Sequence, residues 1–264
     1  MIIEIESRRI HAATGGVEPS EDAPLVVLVH GAGMDSTVWQ LQTRYLAYRG
    51  VAAIAVDLPG HGRSDGPALE SIPAMAEWLA TFIGALDRGQ ATIVGHSMGT
   101  FIALEVAAAN PELVRSLVLM GTAGAMPVHP DLLDKAANDV ESAGALMAGW
   151  SHDPTSKLWP NPVPGLSMTG SQRALVEMSA PGVLASDLSA CATYGGAGEA
   201  AANVTAPTTV IVGSSDKMTP PRSGRAIAES LATVDIVELK DIGHSMMTES
   251  PGAVRQAILA AARG

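Results

Sequence analysis

Short, uninterrupted apolar runs recur along this chain and are separated by segments with helical character. Eight runs read as strands: Ile2–Ile5, Arg9–Ala12, Leu25–His30, Ala52–Val56, Ala91–Val94, Leu117–Met120, Thr208–Val212 and Asp235–Leu239. The middle ones do not alternate with polar residues, as expected of parallel strands covered on both faces. The start, Met1-Ile2-Ile3-Glu4-Ile5-Glu6, alternates as a strand does. Between the strands, Ser71 followed by Pro73 predicts a capped helix reaching Leu86. Pro221–Leu231 predicts another, and Ser250-Pro251 repeats the cap-then-proline signal for a last helix to about Ala262. Strand and helix in alternation imply a mostly parallel, eight-stranded twisted sheet flanked by helices, an α/β architecture with right-handed crossovers.

The alternation breaks between Gly121 and Asn203. That stretch has no convincing strand and two helix-like runs, Pro130–Ala148 and Ser171–Ala180, with a proline-rich bend at Trp159–Pro164. It predicts a helical cap at 121–203 inserted into a core formed by 1–120 and 204–264. Four of its methionines, Met126, Met147, Met168 and Met178, are candidate walls of a substrate cavity, because thioether side chains fill irregular apolar space.

The most informative chemistry lies in Gly95-His96-Ser97-Met98-Gly99, between the Ala91–Val94 strand and a small-residue helical run from Phe101 to Ala109. A strand that turns abruptly into a helix around a serine forms a nucleophile elbow. Its flanking positions need glycine because there is no room for a Cβ. Serine needs a base within hydrogen-bond reach. Of seven histidines, His244 is favoured, since Gly243-His244-Ser245 follows a strand and leads to the final helix. The base in turn needs a carboxylate to orient it. Asp216, on the loop after Thr208–Val212, is preferred to Asp57, which opens a Gly/Pro turn, and to Asp241, which is only three positions from His244. Donors for a tetrahedral oxyanion are expected from the backbone N–H of Met98 and from the loop His30-Gly31-Ala32-Gly33-Met34. Ala32 is the expected residue there, with Gly33 the alternative.

Composition narrows the partners. A formal net charge of −11 with no basic cluster longer than Arg8-Arg9 argues against nucleic acid. No apolar run reaches the roughly 18–20 residues that span a bilayer, and the amino terminus lacks a signal-peptide pattern. A single cysteine, Cys191, excludes an intrachain disulfide and a cysteine-only metal cluster, and fits a reducing cytoplasm. No metal or cofactor is expected.

Taken together, His30–Gly33, Asp57-Leu58-Pro59-Gly60-His61-Gly62-Arg63-Ser64, Gly95–Gly99, Gly213-x-x-Asp216 and Gly243-His244 resemble the α/β-hydrolase superfamily. The resemblance spans the chain outside the cap, and implies the order nucleophile, acid, histidine that Ser97, Asp216 and His244 follow. It also implies that Asp57–Ser64 is a structural turn. Serine at position 97 sets the chain apart from dehalogenases and soluble epoxide hydrolases, which attack through aspartate. Ser245 replaces the tryptophan that commonly follows the histidine of carbon–carbon bond hydrolases, and the oxyanion loop lacks the His-Gly-Gly-Pro-Gly of proline iminopeptidases. The resemblance thus implies a serine hydrolase acting on small or medium apolar carboxylic esters. Perhydrolase, thioesterase, lactonase, amidase and carbon–carbon hydrolase activities on the same residues, or a non-catalytic ligand-binding role, are the alternatives.

Overall fold

The computed structural model describes residues 1–155, 162, 165 and 167–264 of the chain. The eight expected strands form as β1 (Ile2–Ile5), β2 (Arg8–Ala13), β3 (Leu25–Val29), β4 (Ala52–Val56), β5 (Ala91–His96), β6 (Val114–Met120), β7 (Thr208–Gly213) and β8 (Val234–Leu239). They make one sheet in the order β1-β2-β4-β3-β5-β6-β7-β8. β1 and β2 are antiparallel to their neighbours, and all later pairings are parallel. The winding therefore reverses between β3 and β5. In open parallel sheets, ligands bind beyond the carboxyl ends of the strands at such a reversal.

Successive residues of the central strands feed opposite faces. Val27 and Val29 pack into one core while Val26 and Leu28 pack into the other. On the first face lie α2 (Ile72–Ala85), α3 (Met98–Ala109) and α9 (Pro221–Ala228); on the second lie α1 (Gln40–Ala47), the short α10 (Met246–Glu249) and α11 (Pro251–Arg263). Ser71 caps α2 as expected, accepting from the Ala74 N–H. Ser250 precedes α11 with Pro251 in its first turn, but makes no side-chain cap bond, so proline alone sets that start.

Between β6 and β7 the described residues contain helices and no strand: α4 (Pro130–Asn138), α5 (Val140–Ser151), α6 (Met168–Glu177), α7 (Val183–Thr193) and α8 (Ala197–Asn203). The single run expected over Pro130–Ala148 is two helices, because the Asp139 side chain accepts from the Ser142 N–H and starts a new helix there. Helices α7, α8 and α1 were not expected. The first two are rich in Ala, Gly and Ser, which blurs the apolar–polar contrast that marks a helix. The bend expected at Trp159–Pro164 lies outside the described residues, apart from Pro162. Among the described residues no helix is long and apolar enough to cross a membrane.

The core on the α2 side depends on a few large side chains. Phe82 is fully buried and stacks on Trp78 with ring centroids 5.5 Å apart. Phe82→Ala should destabilise the fold by about 3–5 kcal/mol. Met178→Ala, at a position 81% exposed, should change stability by less than about 0.5 kcal/mol. Urea unfolding of both variants checks the contrast.

Candidate active site

Ser97 joins β5 to α3 with φ 53° and ψ −120°, a backbone conformation that L-residues avoid. The neighbouring glycines make that turn possible. A Cβ on Gly95 would lie 2.4 Å from the Gly99 carbonyl oxygen, and one on Gly99 would lie 2.5 Å from that of Val29. Strand and helix thus approach backbone to backbone, and Ser97 is thrust out at the carboxyl edge of the sheet. Met98 begins α3, so its N–H has no acceptor within the helix.

Asp216 lies after β7 and His244 after β8. His244 Nδ1 is 2.8 Å from Asp216 Oδ2 and 3.1 Å from Thr219 Oγ1. The Thr219 hydroxyl donates to the same carboxylate oxygen at 2.8 Å, so both groups facing Nδ1 present acceptors. That assigns the proton to Nδ1 and leaves Nε2 as the basic nitrogen. The other oxygen, Oδ1, accepts the N–H groups of Met218 and Thr219 at 2.9 Å each. Burial opposes the Asp216 charge, but the His244 ring and the Thr219 donors outweigh it and hold the carboxyl below its ordinary range. His244 Nε2 is buried with no hydrogen-bond partner among the described residues. Ser97 and His244 line the same cavity.

The rival carboxylates have other duties. Asp57 accepts the N–H groups of Ser36 and Arg63 at 2.6 and 3.0 Å and faces His11 Nδ1 at 2.8 Å, which closes the turn it opens. Asp241 is on an exposed turn. In the loop after β3, the Gly33 N–H is taken by Asp187 Oδ2 at 2.8 Å, so of the two amides weighed as oxyanion donors only that of Ala32 is not already committed to Asp187.

Several groups around the site were not anticipated. His96 lines the same cavity, and its Nε2 donates to the His244 carbonyl at 3.0 Å. Burial and the adjacent His244 push His96 down to about 3, which keeps it neutral. Glu249 binds the Gly243 N–H at 3.0 Å and the Asp153 N–H at 2.9 Å, while Ser245 N–H donates to the Ser151 carbonyl at 3.0 Å. The histidine loop is therefore tied to the end of α5. Thr219 had a sequence signal, the Asp-x-x-Thr turn after β7. The His96–His244 and Glu249–Asp153 contacts had none, because the partners are distant in the chain.

The cavity encloses about 360 Å³. Met126 and Met147 line it, with Leu132, Trp150 and Leu188. Met168 and Met178, also expected there, line a separate cleft of about 220 Å³ on the far side of Gln172 and Met34, which border both spaces. Met168, at the start of α6, is buried, whereas Met178, just past its end, is largely exposed. The buried Cys191 thiol is also part of the cavity wall, and burial pushes its pKa up, so it is an apolar surface there. Among the described residues no group of three or more His, Cys, Asp or Glu side chains is placed to hold a metal ion.

A family model described as "Alpha/beta hydrolase family" matches residues 26–257. The chain belongs to that family. A protein of Mycobacterium tuberculosis with the provisional name non-heme bromoperoxidase BpoC is 31% identical over 243 residues, 89% of this chain and 92% of that one. Two solved structures share the fold: the enol-lactonase of Burkholderia xenovorans LB400, with TM-score 0.88, 20% identity and full coverage of both chains, and the esterase EaEST of Exiguobacterium antarcticum, with TM-score 0.86, 19% identity and coverage of 100% and 99%. Identities this low speak for the fold alone. The chain spans about a third of an uncharacterized M. tuberculosis protein with which it is 36% identical over 121 residues, 46% of this chain and 35% of the relative.

One substitution tests the geometry around His244. Gly121, at φ 65°, abuts His244 so closely that an added Cβ would lie 2.7 Å from its Cε1 and 2.9 Å from its Nδ1. Gly121→Ala should displace the imidazole and lower kcat for any hydrolysis routed through His244 about 100-fold. Comparing its turnover and thermal melt with those of the parent separates this from simple unfolding.

Proposed function

We propose that this protein is a serine hydrolase of carboxylic esters, with Ser97 as nucleophile, His244 as general base and acid, and Asp216 as the carboxylate that orients His244. The observation that carries this reading is the fixed tautomer of His244: Nδ1 is held by Asp216 and Thr219, so Nε2 presents a lone pair in the cavity that Ser97 also lines.

In this mechanism Ser97 Oγ attacks the acyl carbon as His244 Nε2 takes its proton. The imidazolium that forms is stabilised by the ionised Asp216. The negative oxygen of the tetrahedral intermediate is held by the N–H groups of Met98 and Ala32. Collapse breaks the bond to the alcohol, which leaves with the proton from His244. Water then attacks the acyl-enzyme, again deprotonated by His244, and releases the acid and free Ser97.

Met126, Leu132, Met147 and Leu188 offer apolar area and few polar anchors, which supports small to medium apolar substrates. Identity to a protein named for bromoperoxidase supports a second reading on the same residues. There, hydrogen peroxide takes the place of water on the acyl-enzyme and releases a peracid.

Ser97→Ala should fold normally and lose at least about 10³-fold in kcat on p-nitrophenyl butyrate. Unchanged turnover in that variant would overturn the proposal. Across p-nitrophenyl esters from acetate to laurate, kcat/KM should rise roughly fourfold for each CH₂ buried, the equivalent of about 0.8 kcal/mol, until the cavity is full. A steady fall from acetate onward would mean that the acyl chain does not enter the Met-lined space.

A further inference from the structure

Asp187 is the only charged side chain between Glu177 and Glu199, and it is completely buried. It lies on α7, in the helical insertion, yet its partners are in the sheet domain. Its Oδ2 receives the Gly33 N–H at 2.8 Å and faces His61 Nε2 at 2.8 Å. A carboxylate in such a place is costly unless it is paired and hydrogen-bonded, so this contact calls for an account.

The partners of His61 determine its charge. Nδ1 lies 3.0 Å from the Pro59 carbonyl oxygen, which can only accept. Nε2 faces the Asp187 oxygen, which already accepts the Gly33 N–H. Both ring nitrogens therefore point at acceptors, and the ring that satisfies both is the imidazolium. The groups facing His61 are Asp187 from α7, His30 at the end of β3 with ring centroids 4.9 Å apart, and Asp57 after β4. His30 does not compete for the charge. It donates from Nδ1 to the Gly31 carbonyl and accepts the Leu58 N–H at Nε2, as a neutral ring must, and burial and His61 push it down to about 4.

The Gly33 N–H belongs to the Ala32–Gly33 peptide, next to the Gly31–Ala32 peptide that carries the Ala32 N–H, within a turn closed by the Met34 N–H on the Gly31 carbonyl at 3.2 Å. Gly31 in turn packs on the elbow, where an added Cβ would lie 3.1 Å from Ser97 Cβ. We propose that Asp187 is a positioning residue for the oxyanion donors: it draws the Gly33 N–H into the insertion, which fixes the orientation of the Ala32 amide over Ser97, and it is itself held in place by the imidazolium of His61. This rests on the serine-hydrolase reading above. It makes the insertion a working part of the oxyanion hole as well as a wall of the cavity.

A pH dependence follows. Burial works against the His61 charge, but the Asp187 carboxylate and the Pro59 carbonyl overcome it and raise its pKa above the ordinary 6.5. With the folded value above the unfolded one, the pair stabilises the loop fully below about pH 6.5. It weakens as pH rises through the raised value. The wild-type kcat should accordingly decline on the alkaline side with the midpoint of His61 deprotonation.

The test uses the full chain, with Asp187→Ala and Asp187→Asn beside the wild type and Ser97→Ala. Turnover of p-nitrophenyl butyrate should fall at least about tenfold in kcat in both Asp187 variants, with KM within about threefold, since only the orientation of the oxyanion donors is disturbed. Long-range ¹H–¹⁵N spectra should show both His61 nitrogens protonated at pH 7 in the wild type and in Ser97→Ala, and one in Asp187→Asn. If Asp187→Ala fails to fold, Asp187→Asn carries the comparison, because it keeps shape and an acceptor while removing the charge. Wild-type kcat in a folded Asp187 variant, or a singly protonated His61 in the wild type at pH 7, would overturn the inference. Equal turnover by wild type and Ser97→Ala would instead overturn the hydrolase reading, and the His61 spectrum would then decide the ion pair by itself.

Discussion

The structure depends on a backbone approach so close that side chains are excluded from it. β5 and α3 meet through Gly95 and Gly99, and α3 rests on the last carbonyls of β3. Only that proximity keeps Ser97 at its unfavourable φ and ψ, because a residue in such a conformation relaxes unless its surroundings over-determine it. The consequences reach outward from there. The start of α3 is brought to the carboxyl edge of the sheet, the loop after β3 is pressed against the elbow, and the loops after β6, β7 and β8 arrive at the same edge because the strands are parallel. A parallel sheet collects its functional loops at one end, and the winding reversal between β3 and β5 opens a crevice there.

Around that edge the helical insertion holds both halves of the site. On one side Asp187 of α7 takes the Gly33 N–H. On the other, the end of α5 accepts the Ser245 N–H, and Glu249 bridges Gly243 to Asp153. Gln172 of α6 spans the middle, donating to Ser151 Oγ at 2.8 Å and accepting from Ser245 Oγ at 3.0 Å. The Gly33–Asp187, Ser245–Ser151, Asp153–Glu249 and Ser245–Gln172 bonds are buried and cross between the insertion and the sheet domain. Each of these leaves an unsatisfied polar group behind if the insertion moves away, at about 1–3 kcal/mol per group.

Four buried histidines converge on the site in two pairs, and a different local constraint governs each ring. His30 and His96 are neutral: the first both donates and accepts backbone bonds, and burial beside a second imidazole disfavours its charge and that of His96. His61 is charged because both its nitrogens face acceptors. His244 keeps a free lone pair on Nε2 because Asp216 and Thr219 claim Nδ1. Burial opposes the charge on His30, His61 and His96 alike, so what separates them is the number and kind of acceptors that the fold places at each ring.

The sequence by itself determined the eight strands, the capped α2, and the presence of Ser97, Asp216 and His244 on loops that follow strands. Those features depend on local physics: apolar runs of strand length, glycines where no Cβ fits, and turn residues at strand ends. It also marked Ala32 and Met98 by their positions after β3 and after the elbow. The tertiary structure decided which residues meet across long separations. It assigned the Gly33 amide to Asp187, put His96 under the His244 carbonyl, and divided the four methionines between two spaces, with Met126 and Met147 beside Ser97 and Met168 and Met178 beyond Gln172. No periodicity or motif encodes such pairings. They depend on how the insertion folds back over the sheet, where burial makes every unpaired polar group costly and so selects the arrangement in which Asp187, Glu249 and Gln172 each find partners.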